Sequence, residues 1–231
     1  MVNCKYNAAN IYKYDQEKKE FIFDCSLKCI NSAEKVVELP NEKLALLASK
    51  IHIFSKENGI YIEDGKCLSI TTIDDFILIN ENEIASISGQ ESEITFWDLT
   101  TRNIILQIGE IKNYGRFCLI LFGKSLIVGG ASRYDNSIFI HIINIDNHEL
   151  IKKYSFSQNI WFMTKLNDKE FVTGESKGII SKYRFEENEL KLMERNEEHK
   201  NEIVMKLSFD NNGNKLASLS ENSLIIFKIS E

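Results

Sequence analysis

Six short segments of this chain repeat one pattern at a nearly constant spacing. In each segment apolar and polar residues alternate, and a bulky apolar residue, here called the anchor, stands near the end. The anchors are separated by 40, 43, 46, 40 and 44 residues, and a new apolar stretch begins seven residues after each of the first five. The six anchors are Tyr14, Phe54, Trp97, Ile143, Tyr183 and Phe227. A repeat of this length constrains the fold more than any other feature of the sequence.

The repeat predicts an all-β fold. Short alternating segments bounded by turn residues are typical of strands with one buried face. A period of this length built from such strands is typical of the four-stranded blades of a β-propeller. We therefore expect a propeller of five to six four-stranded antiparallel blades, with the first and last repeat units incomplete. The chain, residues 1–231, is expected to form a single domain with repeat units at about 1–30, 31–67, 68–113, 114–157, 158–198 and 199–231.

Individual strands can also be placed inside the units. In the third unit "LSITTI" (68–73) is expected to form one strand, and "DFILIN" (75–80) to extend or follow it. Near the beginning, "EFIFDC" (20–25) is a candidate for the strand that completes the last blade. The charged stretch 187–202 fits either a helix or a strand followed by a loop.

The last unit, residues 199–230, resembles the WD40 repeat. The family pattern runs from a His through V-x-x-L-x-F, a turn of the Asp-Gly type and L-A-S-G-S to I-x-I-W-D. The third unit resembles it too, through Ile84-Ala85-Ser86, Ile94 and Trp97-Asp98. The matching residues of the last unit are His199, Val204, Leu207, Phe209, Asn212-Gly213, Leu216-Ala217-Ser218 and Phe227.

This resemblance implies a structural role for the anchors and for His199. In the family the Trp packs between neighbouring blades and is joined to a Ser and a His by hydrogen bonds through an Asp of the preceding loop. The last unit keeps His199 and a serine, but it has Asn222 at the acidic position and Phe227 at the Trp position. A phenylalanine ring has no N–H to donate. Since the unit of Trp97 lacks an upstream histidine, the blades are expected to depend mainly on apolar packing.

Composition excludes several classes of function. The chain of 231 residues has a net charge of −6, so it lacks the basic footprint of a nucleic-acid-binding protein. Its apolar runs are too short to span a membrane, and its N-terminus does not resemble a secretory signal. Five scattered cysteines are most simply reduced thiols. We expect a cytoplasmic protein with neither nucleic-acid partners nor membrane insertion.

The sequence contains no motif that predicts catalysis, a metal site or a cofactor site. The four histidines share no metal-ligand spacing. The stretch Gly123-Lys124-Ser125 has Cys118 where a phosphate loop requires its first glycine, and a β-rich run follows it instead of a helix. The acidic stretches 72–76 and 185–189 lack calcium-loop spacing. We therefore expect no enzymatic activity and no bound cofactor.

Two aromatic residues, Trp161 and Phe162, have two interpretations. Large aromatic side chains are favoured anchors of protein interfaces, but they are also ordinary core residues at the start of a blade. The sequence leaves both interpretations open.

The function favoured by these patterns is a non-catalytic scaffold that presents propeller loops to partner proteins or peptides. One alternative is a structural subunit docked permanently into a larger complex through a strand edge. An enzyme with an active site on the propeller axis is a weaker alternative. The identity of the partner proteins does not follow from the sequence.

Overall fold

The computed structural model of the chain describes residues 2–5, 8–28, 33–65, 67–69, 71–91, 93–109, 117–131, 138–197, 199, 202–209, 215–220 and 222–228. Within these ranges the chain forms 22 β-strands and one short 3₁₀ turn, Ser176–Gly178, and no α-helix. The strands form six antiparallel sheets in chain order, which are here called blades 1 to 6.

The blades have the following strands. Blade 1 contains β1 (Val2–Lys5), β2 (Ala8–Asp15) and β3 (Glu20–Lys28), and blade 2 contains β4 (Lys35–Leu39), β5 (Lys43–Ala48), β6 (Lys50–Glu57) and β7 (Ile60–Glu63). Blade 3 contains β8 (Asp75–Asn80), β9 (Glu83–Ser88), β10 (Glu93–Asp98) and β11 (Ile104–Ile108). Blade 4 contains β12 (Phe117–Phe122), β13 (Ser125–Ala131), β14 (Ile138–Asn144) and β15 (Leu150–Phe156). Blade 5 contains β16 (Ile160–Lys165), β17 (Glu170–Glu175), β18 (Ile180–Glu186) and β19 (Glu189–Asn196), and blade 6 contains β20 (Lys206–Phe209), β21 (Lys215–Leu219) and β22 (Leu224–Lys228).

The predicted fold class, an all-β propeller with incomplete first and last repeat units, is confirmed. Each blade lies within one of the six repeat units inferred from the sequence. The chain divides into two compact units, Met1–Gly109 with blades 1 to 3 and Glu110–Glu231 with blades 4 to 6. The description of residues 1–231 as one domain stays a prediction.

The two end blades lack different strands within the described residues. In the complete blades the anchor lies in the third strand, as Phe54 does in β6 and Trp97 in β10. In blade 1 the anchor Tyr14 lies in the middle strand, so the first strand of the pattern is missing. In blade 6 the anchor Phe227 lies in β22, which is an edge strand, so the fourth strand is missing.

Two strand predictions were wrong. The segment 20–25 does not complete the last blade, since β3 pairs with β2 in the register Tyr14 to Phe21. A short turn between them is held by the Asp15 carboxylate, which accepts the N–H groups of Glu17 and Lys18, and the short loop makes this hairpin inexpensive in chain entropy. The described residues of the segment 68–73, which are 68–69 and 71–73, form no strand, and among them Leu68 makes an isolated bridge to Ile51.

The stretch 187–202, for which a helix or a strand fitted the sequence, begins with a strand. Strand β19 (Glu189–Asn196) covers its first half and pairs with β18. Glu187 and Asn188, in the turn before it, have φ angles of 53° and 62°. A second pair of positive φ angles occurs at 58–59, and such two-residue turns match the twist of antiparallel hairpins.

Within the unit Met1–Gly109, apolar side chains pack between consecutive blades. Ala9 and Leu27 of blade 1 pack with Leu44 and Phe54 of blade 2. A second layer lies between blades 2 and 3 and contains Leu47, Ile51, Ile53, Phe76, Ile84 and Trp97. Consecutive blades of this unit are therefore joined through the faces of their sheets.

The unit Glu110–Glu231 has the same construction. Phe122 and Ile140 of blade 4 pack with Phe171 and Tyr183 of blade 5. Between blades 5 and 6 the layer contains Val172, Ile180, Val204, Leu207 and Leu216. Blades 5 and 6 approach closely at Gly174, where a Cβ atom would lie 2.7 Å from Val204 Cγ1. A larger residue at Gly174 would force the two blades apart.

The end blades allow a test of how much blade packing stabilises the chain. Phe54 is 2% exposed, whereas the equivalent Phe227 is only half-buried. We expect Phe54→Ala to lower the free energy of unfolding by about 3–5 kcal/mol, and Phe227→Ala by about 1–2 kcal/mol because part of its ring already contacts water. Urea titrations of the two variants measure the difference. Equal losses would show that blade 6 is packed as tightly as blade 2.

Candidate interaction surface

The six anchors lie at one register position of their blades but differ in burial. Phe54, Trp97, Ile143 and Tyr183 are at most 7% exposed. Tyr14 is 49% exposed and packs edge-on against Phe21, 5.2 Å away between ring centroids, and Phe227 is half-buried. The more exposed anchors are those of the two end blades.

Trp97-Asp98 has two separate roles at the end of β10. The Trp97 indole Nε1 donates a hydrogen bond to Ser86 Oγ at 2.8 Å, which ties β10 to β9. The Asp98 carboxylate accepts the N–H groups of Thr100 and Thr101. Hydrogen bonding from Thr101 is the main cause of the lowered pKa of this carboxyl group, and the bond from Thr100 contributes less. The tryptophan thus fills the space between blades while the acid closes the following turn.

Blade 6 contains a buried polar cluster centred on His199. Its Nε2 lies 2.6 Å from Ser218 Oγ and its Nδ1 lies 2.8 Å from Ser223 Oγ. Ser223 Oγ in turn donates to the Glu202 carboxylate at 3.1 Å. The acid of this network is therefore Glu202, downstream of the histidine, whereas the sequence comparison pointed to the position of Asn222. Asn222 instead donates a hydrogen bond to the same carboxylate.

This cluster has a structural role. His199 is 2% exposed and Ser218 is 0% exposed, so neither faces solvent. A hydroxyl group from Ser220 is the main cause of the lowered pKa of Glu202. Both ring nitrogens of His199 already lie against hydroxyl groups, and the cluster holds the segment before β20 against β21.

Two other histidines lie apart from each other. His52 Nδ1 is 2.7 Å from Glu63 Oε1, on the neighbouring strand. His141 is 8% exposed and stacks on Phe139 at 4.4 Å between ring centroids. Burial, with a smaller contribution from the charge of Lys153, lowers the pKa of His141 to about 4. Among the described residues no group of three or more His, Cys, Asp or Glu side chains could hold a metal ion.

Trp161 and Phe162, the aromatic residues with two interpretations, are half-buried in β16. Trp161 Nε1 donates to Ser176 Oγ at 3.1 Å, and Phe162 packs against the apolar layer between blades 5 and 6. Neither residue belongs to the surface described next.

One face of blade 6, here called the open face, is exposed. Directly opposed residues of an antiparallel pair share a face, and the pairs Ala217 to Ile226 and Leu219 to Leu224 place four apolar residues together. Leu224 and Ile226 are each 64% exposed, and Leu219 is 42% exposed. The open face consists of Lys206, Ser208, Lys215, Ala217, Leu219, Leu224, Ile226 and Lys228.

The corresponding faces of other blades are covered by the next blade in the same unit. In blade 2 this face contains Ala45, Leu47, Ile51 and Ile53, which pack against blade 3 and are at most 2% exposed. In blade 4 it contains Ile127, Ile140 and Ile142, which pack against blade 5 and are fully buried. Blade 6 has no following blade within the described residues. Its open face is thus a packing surface without its usual cover.

The edge of the same blade is also open within the described part of the chain. Strand β22 alternates exposed and half-buried residues, whereas the equivalent strand β10 is buried at four consecutive positions. Beside β22 lies a pocket of about 150 Å³ with both apolar and polar walls, lined by Leu166, Val172, Ile180, Leu216 and Phe227 and by Lys182, Glu194, Asn196 and Lys228. The edge and the pocket together form a groove between blades 5 and 6.

Sequence reasoning missed this surface. It could not identify the residues of the open face, because the same alternation of residues in other blades corresponds to buried faces.

Comparisons with known proteins settle the fold. No protein-family model matches the sequence, and no curated protein matches it. Among solved structures 1082 chains match. One of them, from a crystal structure of a mitotic checkpoint complex, aligns with a TM-score of 0.78 over 98% of this chain and 71% of its own length, at 12% sequence identity.

The chain has a WD40-like β-propeller fold. The resemblance found in the third and last repeat units therefore reflects the architecture of the whole described chain. The chain departs from the WD40 pattern inside single blades. Blade 3 keeps the Trp–Ser hydrogen bond without the upstream histidine, and blade 6 keeps a His–Ser cluster with Phe227 in place of the tryptophan. The described part of the chain contains no helix long and apolar enough to cross a membrane.

The buried histidine of blade 4 predicts a pH dependence of stability. The pKa of His141 is about 4 in the folded chain and about 6.5 when unfolded, so the unfolded state takes up a proton first as the pH falls. We expect stability to be unaffected by this group above its unfolded pKa and to fall by roughly 1–3 kcal/mol between that value and pH 4. Denaturant titrations at pH 7 and pH 5 measure it. His141→Leu should reduce the difference between the two pH values, and an unchanged difference would contradict the assignment.

The close approach of blade 5 to His199 predicts a second effect. Gly178 has a φ of +75°, and a Cβ atom there would lie 2.6 Å from the His199 carbonyl carbon. We expect Gly178→Ala to lower the free energy of unfolding by about 2–4 kcal/mol. Residue 178 would keep a strained positive φ, and the nearby backbone of His199 would have to shift. Gly59→Ala is the matched control, with a φ of +81° and no atom within 4 Å. It should cost about 1 kcal/mol; equal thermal shifts would rule out the contact.

Proposed function

We propose that this chain is a non-catalytic scaffold of the cytoplasm that binds other proteins. The observation that carries the proposal is the open face of blade 6 together with the open edge of β22. Contiguous exposed apolar surface is unfavourable for a protein alone in water and commonly marks an interaction site. Loops on a rigid β-scaffold supply further recognition surfaces.

The fold comparison supports the same proposal. The matched solved chain comes from a complex of several proteins, the mitotic checkpoint complex. Fold alone does not determine function, so the likeness adds only that such a propeller can take part in an assembly. The proposal depends on the exposed residues of this chain.

A second candidate, a structural subunit docked permanently in a larger complex, is favoured by a specific observation. Permanent interfaces resemble a protein core cut in half, and the open face corresponds to faces that are buried between blades 2 and 3 and between blades 4 and 5. A transient scaffold would more often present a polar surface at this place. No comparable observation favours an enzyme with an axial active site.

Native co-purification of the tagged full-length chain from its own cells tests the proposal. We expect a small set of proteins at fixed stoichiometry by quantitative mass spectrometry. A permanent subunit would keep these proteins through high-salt washes, whereas a scaffold with exchangeable partners would lose them. Recovery of the chain as a lone monomer under low-salt conditions would contradict both forms of the proposal.

A further inference from the structure

We propose that a pocket of blade 3 binds the guanidinium group of an arginine. The pocket lies between one face of β10 and residues 69–73 of the connection between blades 2 and 3, inside the unit Met1–Gly109. It contains no residue of blade 6, so this inference goes beyond the proposed function and does not depend on it. Three features carry it: two carboxylates without a cationic partner, a buried hydroxyl without a hydrogen bond, and a comparison with the His199 cluster.

The size and the polarity of the pocket limit what it can hold. Its volume is about 250 Å³. An apolar cavity of about 150 Å³ holds benzene, whereas pockets for larger ligands have volumes of about 300–1,000 Å³. The pocket therefore suits one planar group of side-chain size. Its described walls contain no lysine or arginine, and their hydroxyl and carboxylate groups belong to Ser69, Thr71, Ser88, Thr95, Glu91 and Glu93.

The two carboxylates of the pocket have no cationic partner. Neither Glu91 nor Glu93 forms an ion pair in the described part of the chain. Glu93 Oε2 accepts a hydrogen bond from Gln107 Nε2 at 2.9 Å, which orients this carboxylate. The N–H group of Glu91 donates to Ser88 Oγ at 3.2 Å, which orders the turn before β10. Two negative charges beside one pocket repel each other, and a cation bound there would be attracted by both.

Thr95 gives an independent indication of a ligand. Alternate residues of a strand share a face, so Thr95 lies on the same face of β10 as Glu93 and Trp97, and all three line the pocket. The residue is only 7% exposed, but its hydroxyl has no hydrogen-bond partner among the described residues. Buried polar groups are normally paired. A donor bound in the pocket would supply the partner that this hydroxyl lacks.

Blade 6 shows which kind of group fills this place in a related blade. By strand register, Ser220 of blade 6 corresponds to Ser88, and its partner Ser223 corresponds to Glu93. The imidazole of His199 lies 2.8 Å from Ser223 Oγ. The connection before β8 contains no histidine, and blade 3 has a carboxylate where blade 6 has this hydroxyl. A planar N–H donor with a positive charge therefore matches the pocket of blade 3.

A guanidinium group meets these requirements better than other cationic side chains. It has five N–H donors in one plane and no acceptor, and the walls of the pocket offer carboxylate and hydroxyl oxygens. It stays charged at neutral pH, whereas an imidazole is mostly neutral there. It also packs against aromatic rings more readily than an ammonium group does, and Trp97 forms part of the wall. Free arginine and an arginine side chain of another protein share this group.

Titration of the full-length chain with N-acetylarginine amide at constant ionic strength tests this inference. Trp97 and Trp161 are the two tryptophans of the chain, so a Trp161→Phe background leaves the fluorescence of Trp97 as the signal. We expect a saturable change. The corresponding lysine derivative should bind at least about fivefold more weakly, and the uncharged citrulline derivative, which has nearly the same shape, at least about tenfold more weakly. Equal binding of the arginine and citrulline derivatives, or no saturable change, would overturn the inference.

Matched variants of the chain locate the site, and circular dichroism checks that each is folded. The double variant Glu91→Gln with Glu93→Gln keeps the shape of both side chains and should weaken arginine binding by about tenfold or more. Thr95→Val removes only the hydroxyl and should weaken it by about threefold to tenfold. Glu57→Gln, at an exposed glutamate of β6 outside the pocket, should leave binding unchanged. Equal binding by the double variant and by Glu57→Gln would show that the pocket is not the site.

Free arginine distinguishes the two sources of the guanidinium group. Its α-carboxylate would be repelled by Glu91 and Glu93, so tighter binding of the capped derivative assigns the pocket to an arginine side chain of a partner protein. Tighter binding of free arginine assigns it to the amino acid itself, and either result supports the site. Failure of the arginine titration leaves the proposed function unaffected, since that proposal is carried by blade 6. Failure of co-purification likewise leaves the titration of the pocket valid.

Discussion

Face-to-face packing of consecutive blades is the interaction on which the rest of this structure depends. A single antiparallel sheet of three or four strands has two faces and can bury neither by itself. Within each compact unit the face of one blade is covered by the next, as Ile53 of blade 2 is by blade 3 and Ile140 of blade 4 is by blade 5. The nearly constant spacing of the repeat places an apolar face at the same position of each blade. A terminal blade therefore exposes surface whenever nothing follows it.

Hydrogen bonds give this packing its local order. Ser86 accepts the Trp97 indole N–H in blade 3, and His199 lies between two serine hydroxyl groups in blade 6. Buried polar groups of this kind must be paired, so each bond restricts how a strand can shift in its blade. In other blades an apolar residue stands at the register position of these serines, as Val128 does in blade 4, where it lies opposite His141. The fold tolerates this replacement because burial of apolar surface supplies most of the stabilisation.

Much of the architecture could be predicted from residue types alone. The anchors and the turn residues, such as Asn58 and Gly59 with positive φ, mark the blades because alternation and turn chemistry are local properties. Strand partners were harder, as β3 shows: its apolar residues fit the edge of the last blade as well as they fit β2. The short turn after Asp15 decided between them. The acid of the His199 cluster, Glu202, was not identified from the sequence, since it reaches the cluster through space and not through the family spacing.

The sequence by itself determined that the chain is all-β, built of six similar units, and incomplete in its first and last units. Those properties follow from periodicity, which each segment carries independently of the others. Only the tertiary structure decided which apolar residues remain exposed. Leu224 and Ile226 resemble the buried Ile51 and Ile53 in type and register, and they differ because blade 2 has a neighbour on that side and blade 6 has none within the described chain. Burial is a property of neighbouring elements and not of the residue.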